Sequence, residues 1–481
     1  MEKVVRFILS HFPHQPTPMQ EQACRAMVRF LYDPDPASAF VLRGYAGTGK
    51  TSLVSALVRS ASALRIKTLL LAPTGRAAKV LAGYSGNPAF TIHRKIYQTV
   101  TDSTGMMRMA RALNKHSYTL FIVDEASMIG QNDEGGSDRH NLLEDLVDYV
   151  GEGNHCRLML IGDTAQLPPV GSTQSPALDV EYLRSVLCLT VHCAELTEVV
   201  RQRSLSGILL NATLLRRQIA ELEDGGVPSL PLFDLEDCDD VVRLSGAELE
   251  EVLNREYDED SLEQVAIITR SNKRANLFNQ EIRNRILYRE EEVNAGDYLM
   301  VVKNNYYWLE PESGIGFIAN GDIVEVQSLR NHQELYGFHF VDATLRFVDY
   351  PDMPAQDCKL LLETLHSESP SLTYQESQQL FEAVMEDYAD MPYKADRLKA
   401  VKQNPYFNAL QVKFSYALTC HKTQGGQWRT AIIDQGFLTD EMIDREYLRW
   451  LYTAVTRATG KVYLLNFEDK FFGAGDNIFD N

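Results

Sequence analysis

A glycine-rich run near the start of the chain has the spacing of a phosphate-binding loop. Residues 44–51 read GYAGTGKT and match G-x-x-x-x-G-K-[ST], directly after an apolar run and before a helical pattern. Backbone amides of such a loop and the N-terminus of the next helix point at phosphates. Lys50 would neutralise the β- and γ-phosphates of ATP. The residues expected to bind the nucleotide in this loop are Gly44, Ala46, Gly47, Thr48, Gly49, Lys50 and Thr51.

Two adjacent acids supply what a nucleotide-hydrolysing site needs beside this loop. Asp124 and Glu125 follow the apolar run at residues 120–123. Asp124, together with the Thr51 hydroxyl, would hold Mg²⁺, and Glu125 is the candidate general base that orients water. Taken alone, two acids after a strand are also typical of a plain helix N-terminus. The phosphate loop favours the catalytic interpretation.

The pattern around these residues predicts an α/β fold with parallel sheets. Apolar runs at 39–42, 68–72, 120–123 and 158–161 alternate with helical patterns, and strands restart at 265–269. In such sheets the carboxyl ends of the strands hold the ligand, which is where Asp124 and Asp163 lie. Short strands at 298–302, 323–326 and 338–347 interrupt the second half, and polar helices are expected at 371–402. We expect a first lobe at 1–195, a second lobe at 196–295 and 413–481, and an insertion at 296–412.

Charge is divided unevenly along the chain. The 481 residues carry a formal net charge of -19. Yet residues 41–123 contain twelve basic side chains and one acidic side chain, and residues 397–433 contain six basic side chains and no acidic one. By contrast, residues 221–264 contain sixteen acidic side chains and two basic ones. Two basic blocks could therefore line one surface. The total charge predicts a narrow basic channel with few phosphate contacts and a modest salt dependence.

The remaining composition indicates a reducing compartment. The seven cysteines are scattered and show no CxxC pair, so buried thiols are favoured over a metal site. No apolar run approaches the ~18 residues of a membrane helix, and the first residues are not those of a signal peptide. We expect a cytoplasmic protein without a membrane partner.

Further motifs resemble those of superfamily 1 helicases. In addition to the two phosphate motifs, the resemblance rests on residues 162–170 (GDTAQLPPV), 200–202 (VRQ), 418–425 (LTCHKTQG) and 452–458 (YTAVTRA), which occur in family order. The last two forms are similar to the RecD-like, Dda-like and Pif-type branch, whose members move 5′ to 3′ on DNA. The resemblance implies two RecA-like parallel-sheet motor lobes, with a small SH3-like β-barrel inserted in the second lobe.

The resemblance assigns roles to individual residues. Gln20 would read the adenine edge, unless it is only part of a helix start. Gln166 would sense the γ-phosphate, although a polar loop residue is the alternative. Arg201 and Arg457 would stabilise charge on the leaving phosphate from the second lobe. A lone arginine on a helix is more often a surface ion pair, so the motif carries both assignments.

The same resemblance predicts a nucleic-acid track on both lobes and the barrel. Its residues are Pro73, Thr74 and Arg76 in motif Ia, His93 in motif Ib, His421, Lys422 and Thr423 in motif V, and Lys303 and Asn304 in the insertion. Aromatic side chains after Lys303, including Trp308, could stack on bases. His93 could instead be a structural histidine, and Trp308 could belong to the barrel core.

A small insertion at residues 97–118 corresponds to the family's duplex-splitting pin. A turn signal at residues 102–105 precedes Met106 and Met107, which we interpret as a wedge. An ordinary hairpin packed against the lobe is the alternative.

These observations predict an ATP- and Mg²⁺-dependent DNA helicase that moves 5′ to 3′. Its partners would be single-stranded and forked DNA, and we expect a monomeric motor. Two other functions stay open: an ATP-driven nucleic-acid switch that does not unwind duplexes, and a helicase that acts on RNA. A conjugative relaxase is disfavoured because no nuclease domain or histidine cluster precedes the motor motifs.

Overall fold

The computed structural model describes residues 1–101, 107–130, 141–198, 206–223, 225–236, 238–259, 261–309 and 317–473. Within these ranges, no helix is both long and apolar enough to cross a membrane. All seven cysteines lie in the described ranges and are free thiols.

The first lobe is built on a parallel sheet. Its elements are α1 (Glu2–Leu9), α2 (Pro18–Leu31), β1 (Ser38–Gly44), α3 (Lys50–Ala61), β2 (Lys67–Ala72), α4 (Gly75–Ser85), β3 (Ala89–Thr91), α5 (Ile92–Ile96), β4 (Tyr97–Thr101), β5 (Met107–Arg111), β6 (Thr119–Val123), α6 (Leu142–Glu152), β7 (Arg157–Gly162), α7 (Val180–Ser185) and β8 (Thr190–Leu196). The six-stranded sheet has the order β3-β2-β6-β7-β1-β8. An apolar core covers each face, which explains why the central strands are continuous apolar runs.

Strands β4 and β5 form a separate antiparallel pair at the position predicted for the pin. The register pairs Tyr97 with Arg111 and Thr101 with Met107. The connecting residues 102–106, which include Met106, lie outside the described residues, and nothing is described for the Met107 side chain. The wedge interpretation therefore stays a prediction.

The second lobe begins with α8 (Gly207–Glu223), β9 (Val241–Leu244), α9 (Leu249–Glu259), β10 (Val265–Thr269) and α10 (Asn272–Glu281). A π-helical turn, Ile282–Ile286, continues α10. The chain then enters the inserted barrel.

The insertion is a closed five-stranded β-barrel with two helices packed on one side. Its elements are β11 (Tyr298–Val301), β12 (Ile323–Leu335), β13 (Phe338–Phe347), β14 (Gln356–Leu361), α11 (Glu363–His366), α12 (Tyr374–Glu386), α13 (Lys394–Lys402) and β15 (Leu410–Phe414). Helices α12 and α13 bury Leu380, Val384 and Val401 against Phe338 and Phe340 of β13. One or two polar helices were expected at residues 371–402, and the structure has two.

The second lobe is completed by β16 (Ala417–Thr419), α14 (Cys420–Thr423), β17 (Trp428–Asp434), α15 (Arg445–Val455) and β18 (Ala458–Leu465). Its parallel sheet has the order β16-β10-β17-β18-β9. The predicted fold class, two parallel-sheet lobes with a small barrel in the second, is confirmed. One apolar core joins Ile267 of the second sheet to Val301 and Val324 of the barrel without interruption.

Candidate nucleotide site and nucleic-acid track

The phosphate loop connects β1 to α3 in the predicted strand-loop-helix order. Gly47 and Gly49 have positive φ angles of 78° and 88°, which favour glycine. A Cβ on Gly49 would lie 2.3 Å from Gln20 Nε2, so the side chain of Gln20 fits only because this residue is glycine. The loop therefore needs its glycines for both conformation and close packing.

The Lys50 ammonium folds back onto its own loop. Its Nζ donates to the Tyr45 carbonyl oxygen at 2.9 Å and to the Gly44 carbonyl oxygen. The Thr48 hydroxyl donates to the same Tyr45 oxygen at 2.8 Å. Thr51 is exposed in the first turn of α3, where its hydroxyl is accessible. A nucleotide would have to draw Lys50 away from these carbonyl groups.

Gln20 combines two structural contacts behind the loop. Its Oε1 accepts a hydrogen bond from the Thr17 amide at 3.1 Å, as part of a capping box at the start of α2. Its Nε2 donates to the Thr48 carbonyl oxygen at 3.0 Å, and the side chain is buried. Gln20 thus both starts a helix and supports the phosphate loop. Its contact with adenine stays a prediction.

Asp124 and Glu125 stand at the carboxyl end of β6. Asp124 Oδ1 accepts from the Glu125 amide at 2.9 Å, and Oδ2 accepts from the Tyr84 hydroxyl. Glu125 has a positive φ of 51° and precedes a short 3-10 turn without capping it through its side chain. The helix-cap alternative therefore receives no support for Glu125. Tyr84 lies in α4, forty residues away in sequence, and sequence reasoning missed it.

Burial sets the protonation behaviour of Glu125. Desolvation is the largest effect and raises its pKa above the ordinary value for a glutamate, while the nearby charge of Arg457 opposes the rise. A carboxyl with a raised pKa is typical of a general base. The carboxylate of Asp124 and the hydroxyl of Thr51 are oxygen donors of the kind Mg²⁺ prefers. These residues fit a Mg-nucleotide.

Arg457 reaches this region from the second lobe. It is buried, its Nε donates to the Thr453 carbonyl oxygen at 3.0 Å, and its Nη1 donates to the Gly426 carbonyl oxygen at 3.2 Å. Its charge acts on Glu125 of the first lobe. The structure therefore brings one predicted arginine finger toward the predicted base. Arg201 lies outside the described residues.

Gln166 is a buried side chain between the lobes. Its Oε1 has no hydrogen-bond partner within the described part of the chain. A buried polar atom without a partner is uncommon and often faces a ligand or water. Both backbone groups of the neighbouring Leu167 bond to the second lobe. Its amide donates to Thr453 Oγ1 at 2.9 Å, and its carbonyl oxygen accepts from Gln424 Nε2 at 2.7 Å.

Motif Ia forms the start of α4 and meets motif V there. Pro73 precedes Thr74, whose Oγ1 accepts from the Ala77 amide at 3.2 Å and caps the helix. A Cβ on Gly425, which has a φ of 72°, would lie 2.8 Å from the Ala77 Cβ. Motifs Ia and V of the two lobes are therefore adjacent at this helix N-terminus.

Arg76 makes a contact between the lobes. Its guanidinium lies 3.9 Å from the ring centroid of Trp428 and donates to the Gln427 carbonyl oxygen at 3.2 Å. Burial lowers the pKa of Arg76. Arg76, which is predicted to contact DNA, thus also makes a cation–π contact with the second lobe. His93 lies half-buried in α5 with its ring 5.6 Å from that of Tyr97.

Motif V and the barrel are connected through Asn320. Lys422 Nζ donates to Asn320 Oδ1 at 3.0 Å, and the Asn320 amide donates to Asn304 Oδ1 at 2.7 Å. Lys303 is exposed beside them. The structure therefore brings Lys422, Lys303 and Asn304 into one region. Sequence reasoning missed Asn320, which belongs to none of the motifs.

The predicted track residue Thr423 and the stacking candidate Trp308 make contacts inside the protein. Thr423 is fully buried, and its hydroxyl donates to the Cys420 carbonyl oxygen at 2.7 Å, whereas His421 of the same short helix is half-buried. Trp308 packs against the barrel core and donates from Nε1 to the Asn408 carbonyl oxygen at 2.7 Å. These contacts favour the core alternative for Trp308 over base stacking.

Two buried acids of the barrel face motif Ia. A Cβ on Gly75 would lie 2.6 Å from Asp322 Oδ1, an oxygen with no hydrogen-bond partner among the described residues. Burial raises the pKa of Asp322 to about 7. Burial also raises the pKa of Asp349, despite the charges of Arg76 and Lys79. The barrel therefore places acids against a predicted DNA-binding helix.

Comparison with known proteins divides the chain into two matched parts. Residues 16–224 match the AAA domain family, and residues 414–465 match the UvrD-like helicase C-terminal domain family. The ATP-dependent RecD2 DNA helicase of Deinococcus radiodurans is 32% identical over 205 residues, which are 40% of this chain and 25% of that relative. The uncharacterized protein R530 of Acanthamoeba polyphaga mimivirus is 21% identical, in an alignment that covers 92% of this chain and 98% of that relative.

Solved structures that align with this chain include Pif1 helicase from Bacteroides in complex with ADP-AlF3 and single-stranded DNA. It is 15% identical, has a TM-score of 0.47, and the alignment covers 95% of each chain. The fold described above rests on the strand orders of the two sheets and the barrel.

Proposed function

We propose that this chain is an ATP-dependent DNA helicase. Its matches to the AAA domain family and the UvrD-like helicase C-terminal domain family support this proposal, as does its resemblance to superfamily 1 helicases of the RecD-like and Pif-type branch. It translocates 5′ to 3′ on single-stranded DNA and unwinds forked duplexes. The name of the RecD2 relative, an ATP-dependent DNA helicase that is 32% identical over 205 residues, supports this proposal.

The observation that carries the proposal is the meeting of both lobes at one site. The phosphate loop and Glu125 belong to the first lobe. Arg457, whose charge opposes the rise that burial causes in the pKa of Glu125, belongs to the second lobe. A nucleotide bound between them would interact with both lobes at once. Its hydrolysis would therefore change how the lobes are held together.

In this mechanism each residue has a limited task. Lys50 leaves its loop carbonyls and neutralises the phosphates, while Glu125 orients the attacking water and accepts its proton. Arg457 stabilises the charge that develops on the leaving phosphate. Thr51 and Asp124 would hold Mg²⁺, which would supply positive charge to offset that of the phosphates. The adenine contact of Gln20 and the γ-phosphate contact of Gln166 belong to the same proposal.

The nucleic-acid track runs across the same cleft. Thr74 and Arg76 of the first lobe lie beside Gly425 and Trp428 of the second. Closing or opening the cleft would change the spacing of these groups, which would grip a strand alternately. Pro73, His93, His421, Lys422 and Thr423, with Lys303 and Asn304 of the barrel, complete the proposed track.

The polarity of tailed substrates tests the proposal. The substrates are two forks, one with only a 5′ single-stranded tail and one with only a 3′ tail. We expect the protein to unwind the fork with the 5′ tail, and a Lys50→Ala variant to unwind neither. Unwinding from a 3′ tail alone would contradict the direction of movement. Glu125→Gln should retain DNA binding in the presence of ATP while hydrolysis falls about 10²- to 10⁴-fold. Hydrolysis without strand displacement would instead indicate an ATP-driven switch, and stronger stimulation by RNA than by DNA oligomers would indicate an RNA substrate.

A further inference from the structure

The Tyr452 hydroxyl connects the two lobes at the phosphate loop. Tyr452 lies in α15 with 1% of its surface exposed. The Ala46 amide donates to its oxygen at 3.0 Å, and the hydroxyl donates to Asp163 Oδ2 at 2.6 Å. An amide can only donate and an ionised carboxylate can only accept, so both directions are fixed. Burial and the charge of Asp163 raise the pKa of Tyr452 well above 10, so the hydroxyl keeps its proton.

Both partners of Tyr452 belong to predicted nucleotide motifs of the first lobe. Ala46 is in the phosphate loop, and Asp163 follows β7 at the start of the segment that contains Gln166. Asp163 Oδ1 accepts from the Ala165 amide at 2.9 Å, so Asp163 also shapes that segment. One hydroxyl of the second lobe thus connects the two loops of the first lobe.

The same turn of α15 holds Arg457. The Thr453 carbonyl oxygen accepts from Arg457 Nε at 3.0 Å, and Thr453 Oγ1 accepts from the Leu167 amide at 2.9 Å. The guanidinium is therefore fixed to a turn that is itself bonded to the first lobe. A shift of this turn relative to Ala46 would shift Arg457 relative to the phosphates.

We propose that Tyr452 is a positioning residue for ATP hydrolysis, whose hydroxyl holds the last turns of α15 against Ala46 and Asp163 and so sets the place of Arg457. This inference rests on the proposed ATPase function and adds a residue that aligns Arg457 of the second lobe with the phosphate loop of the first lobe. A misplacement of about 1 Å in a catalytic group costs on the order of 100-fold in rate. Loss of the hydroxyl should therefore lower kcat far more than it changes nucleotide binding.

A purely structural role for Tyr452 must be separated from positioning, because the ring belongs to an apolar core of the second lobe. Tyr452→Phe keeps the ring and removes only the hydroxyl. Tyr447→Phe is the matched control: Tyr447 is buried in the same helix and the same core, and its hydroxyl has no hydrogen-bond partner among the described residues. The two variants differ in whether the lost hydroxyl joins the lobes.

Hydrogen–deuterium exchange of the phosphate loop tests the contact without requiring activity. In the absence of nucleotide, the Ala46 amide should exchange faster in Tyr452→Phe than in the wild type. The rate in Tyr447→Phe should stay unchanged. Equal exchange at Ala46 in all three proteins would overturn the proposed contact.

Steady-state ATPase kinetics with single-stranded DNA test the consequence. We expect kcat of Tyr452→Phe to fall about 10- to 100-fold, with KM for ATP and the affinity for a fluorescent ADP analogue changed by less than about threefold. Tyr447→Phe should behave as wild type. Asp163→Ala combined with Tyr452→Phe should cost less than the product of the single effects, because both changes remove the same bond.

The outcomes separate this inference from the proposed function. A wild-type protein that hydrolyses ATP beside a Tyr452→Phe variant with unchanged kcat would overturn the positioning role and leave the ATPase assignment standing. A rise in KM without a fall in kcat would assign Tyr452 to binding instead and equally overturn it. A wild-type protein that binds DNA but never hydrolyses ATP would refute the proposed function, and the positioning role with it.

Discussion

The Lys79 ammonium of α4 lies 3.7 Å from Asp349 Oδ1, so an acid of the barrel pairs with a cation of motif Ia in the first lobe. The same Nζ donates to the Val348 carbonyl oxygen at 3.0 Å. Asp349 is buried, whereas Lys79 is half-exposed and could contact a phosphate from the same place. In the proposed function the barrel would therefore compete with DNA for this lysine.

Removing the acid should release Lys79 to the nucleic acid. We expect Asp349→Asn to bind a single-stranded DNA oligomer about 3- to 10-fold more tightly at low salt. The slope of log affinity against log salt should steepen by about 0.7, as for one additional phosphate contact. Asp352→Asn, which changes an exposed acid on the same connection, is the control and should leave both quantities unchanged. Weaker binding by Asp349→Asn would show that the pair orients Lys79 toward DNA.

The buried acid Asp322 should make stability depend on pH. Its pKa is about 7 in the folded protein, because of burial, and about 3.9 in an unfolded chain. Between these values the folded state binds more protons than the unfolded state, so the free energy of unfolding falls as the pH rises. Burial also raises the pKa of Asp349, so this acid should likewise lower the free energy of unfolding as the pH rises.

Thermal unfolding at about pH 5.5 and pH 8 measures this effect. The wild type should lose more stability than Asp322→Asn over that interval, because the asparagine carries no charge to bury. An equal loss in the two proteins would place the pH dependence elsewhere. The Asp352→Asn variant again serves as the exposed control.

Tyr84 should tune the metal affinity of the nucleotide site. Its hydroxyl donates to Asp124 Oδ2, the carboxylate proposed to hold Mg²⁺. Groups that orient a metal ligand typically change metal affinity 10- to 100-fold when they are removed. We expect Tyr84→Phe to raise the Mg²⁺ concentration for half-maximal ATPase activity at least about 10-fold. At saturating Mg²⁺ the activity should recover, and a loss that excess Mg²⁺ does not restore would argue for a different role.

Trp308 and Lys303 should have separable effects. Trp308→Phe removes the indole N–H that bonds to the Asn408 carbonyl oxygen, at a cost of about 1 kcal/mol of unfolding free energy. It should leave the affinity for single-stranded DNA unchanged. Lys303→Ala changes an exposed cation and should weaken DNA binding severalfold without lowering the melting temperature. A loss of DNA affinity in Trp308→Phe would restore the base-stacking alternative.

Strands with a buried apolar face were predictable from the sequence. The pattern placed strands at 265–269 and 338–347, and the structure has β10 and β13 at these residues. By contrast, the expected strand at 323–326 continues to Leu335 as β12. Its second half is polar and exposed, so apolar periodicity could not reveal it. That half is held by backbone pairing with β13.

The motifs predicted which loops form the site but not how the lobes meet. Lys50 and Glu125 stand out because their residue types match a known chemistry. The contacts of Tyr452 with Ala46, of Tyr84 with Asp124 and of Lys422 with Asn320 join residues that are far apart in sequence. No local spacing encodes them. They become visible only when both sheets and the barrel are packed together.

The unbroken core between the second lobe and the barrel has a mechanical consequence. Ile267 of the lobe and Val324 of the barrel belong to one apolar cluster, whereas the barrel meets α4 through polar contacts such as Lys79 with Asp349. Separating apolar packing costs more than exchanging such contacts for water. We therefore expect the barrel to stay attached to the second lobe in any movement of the two lobes, so that it would slide along the surface of the first lobe.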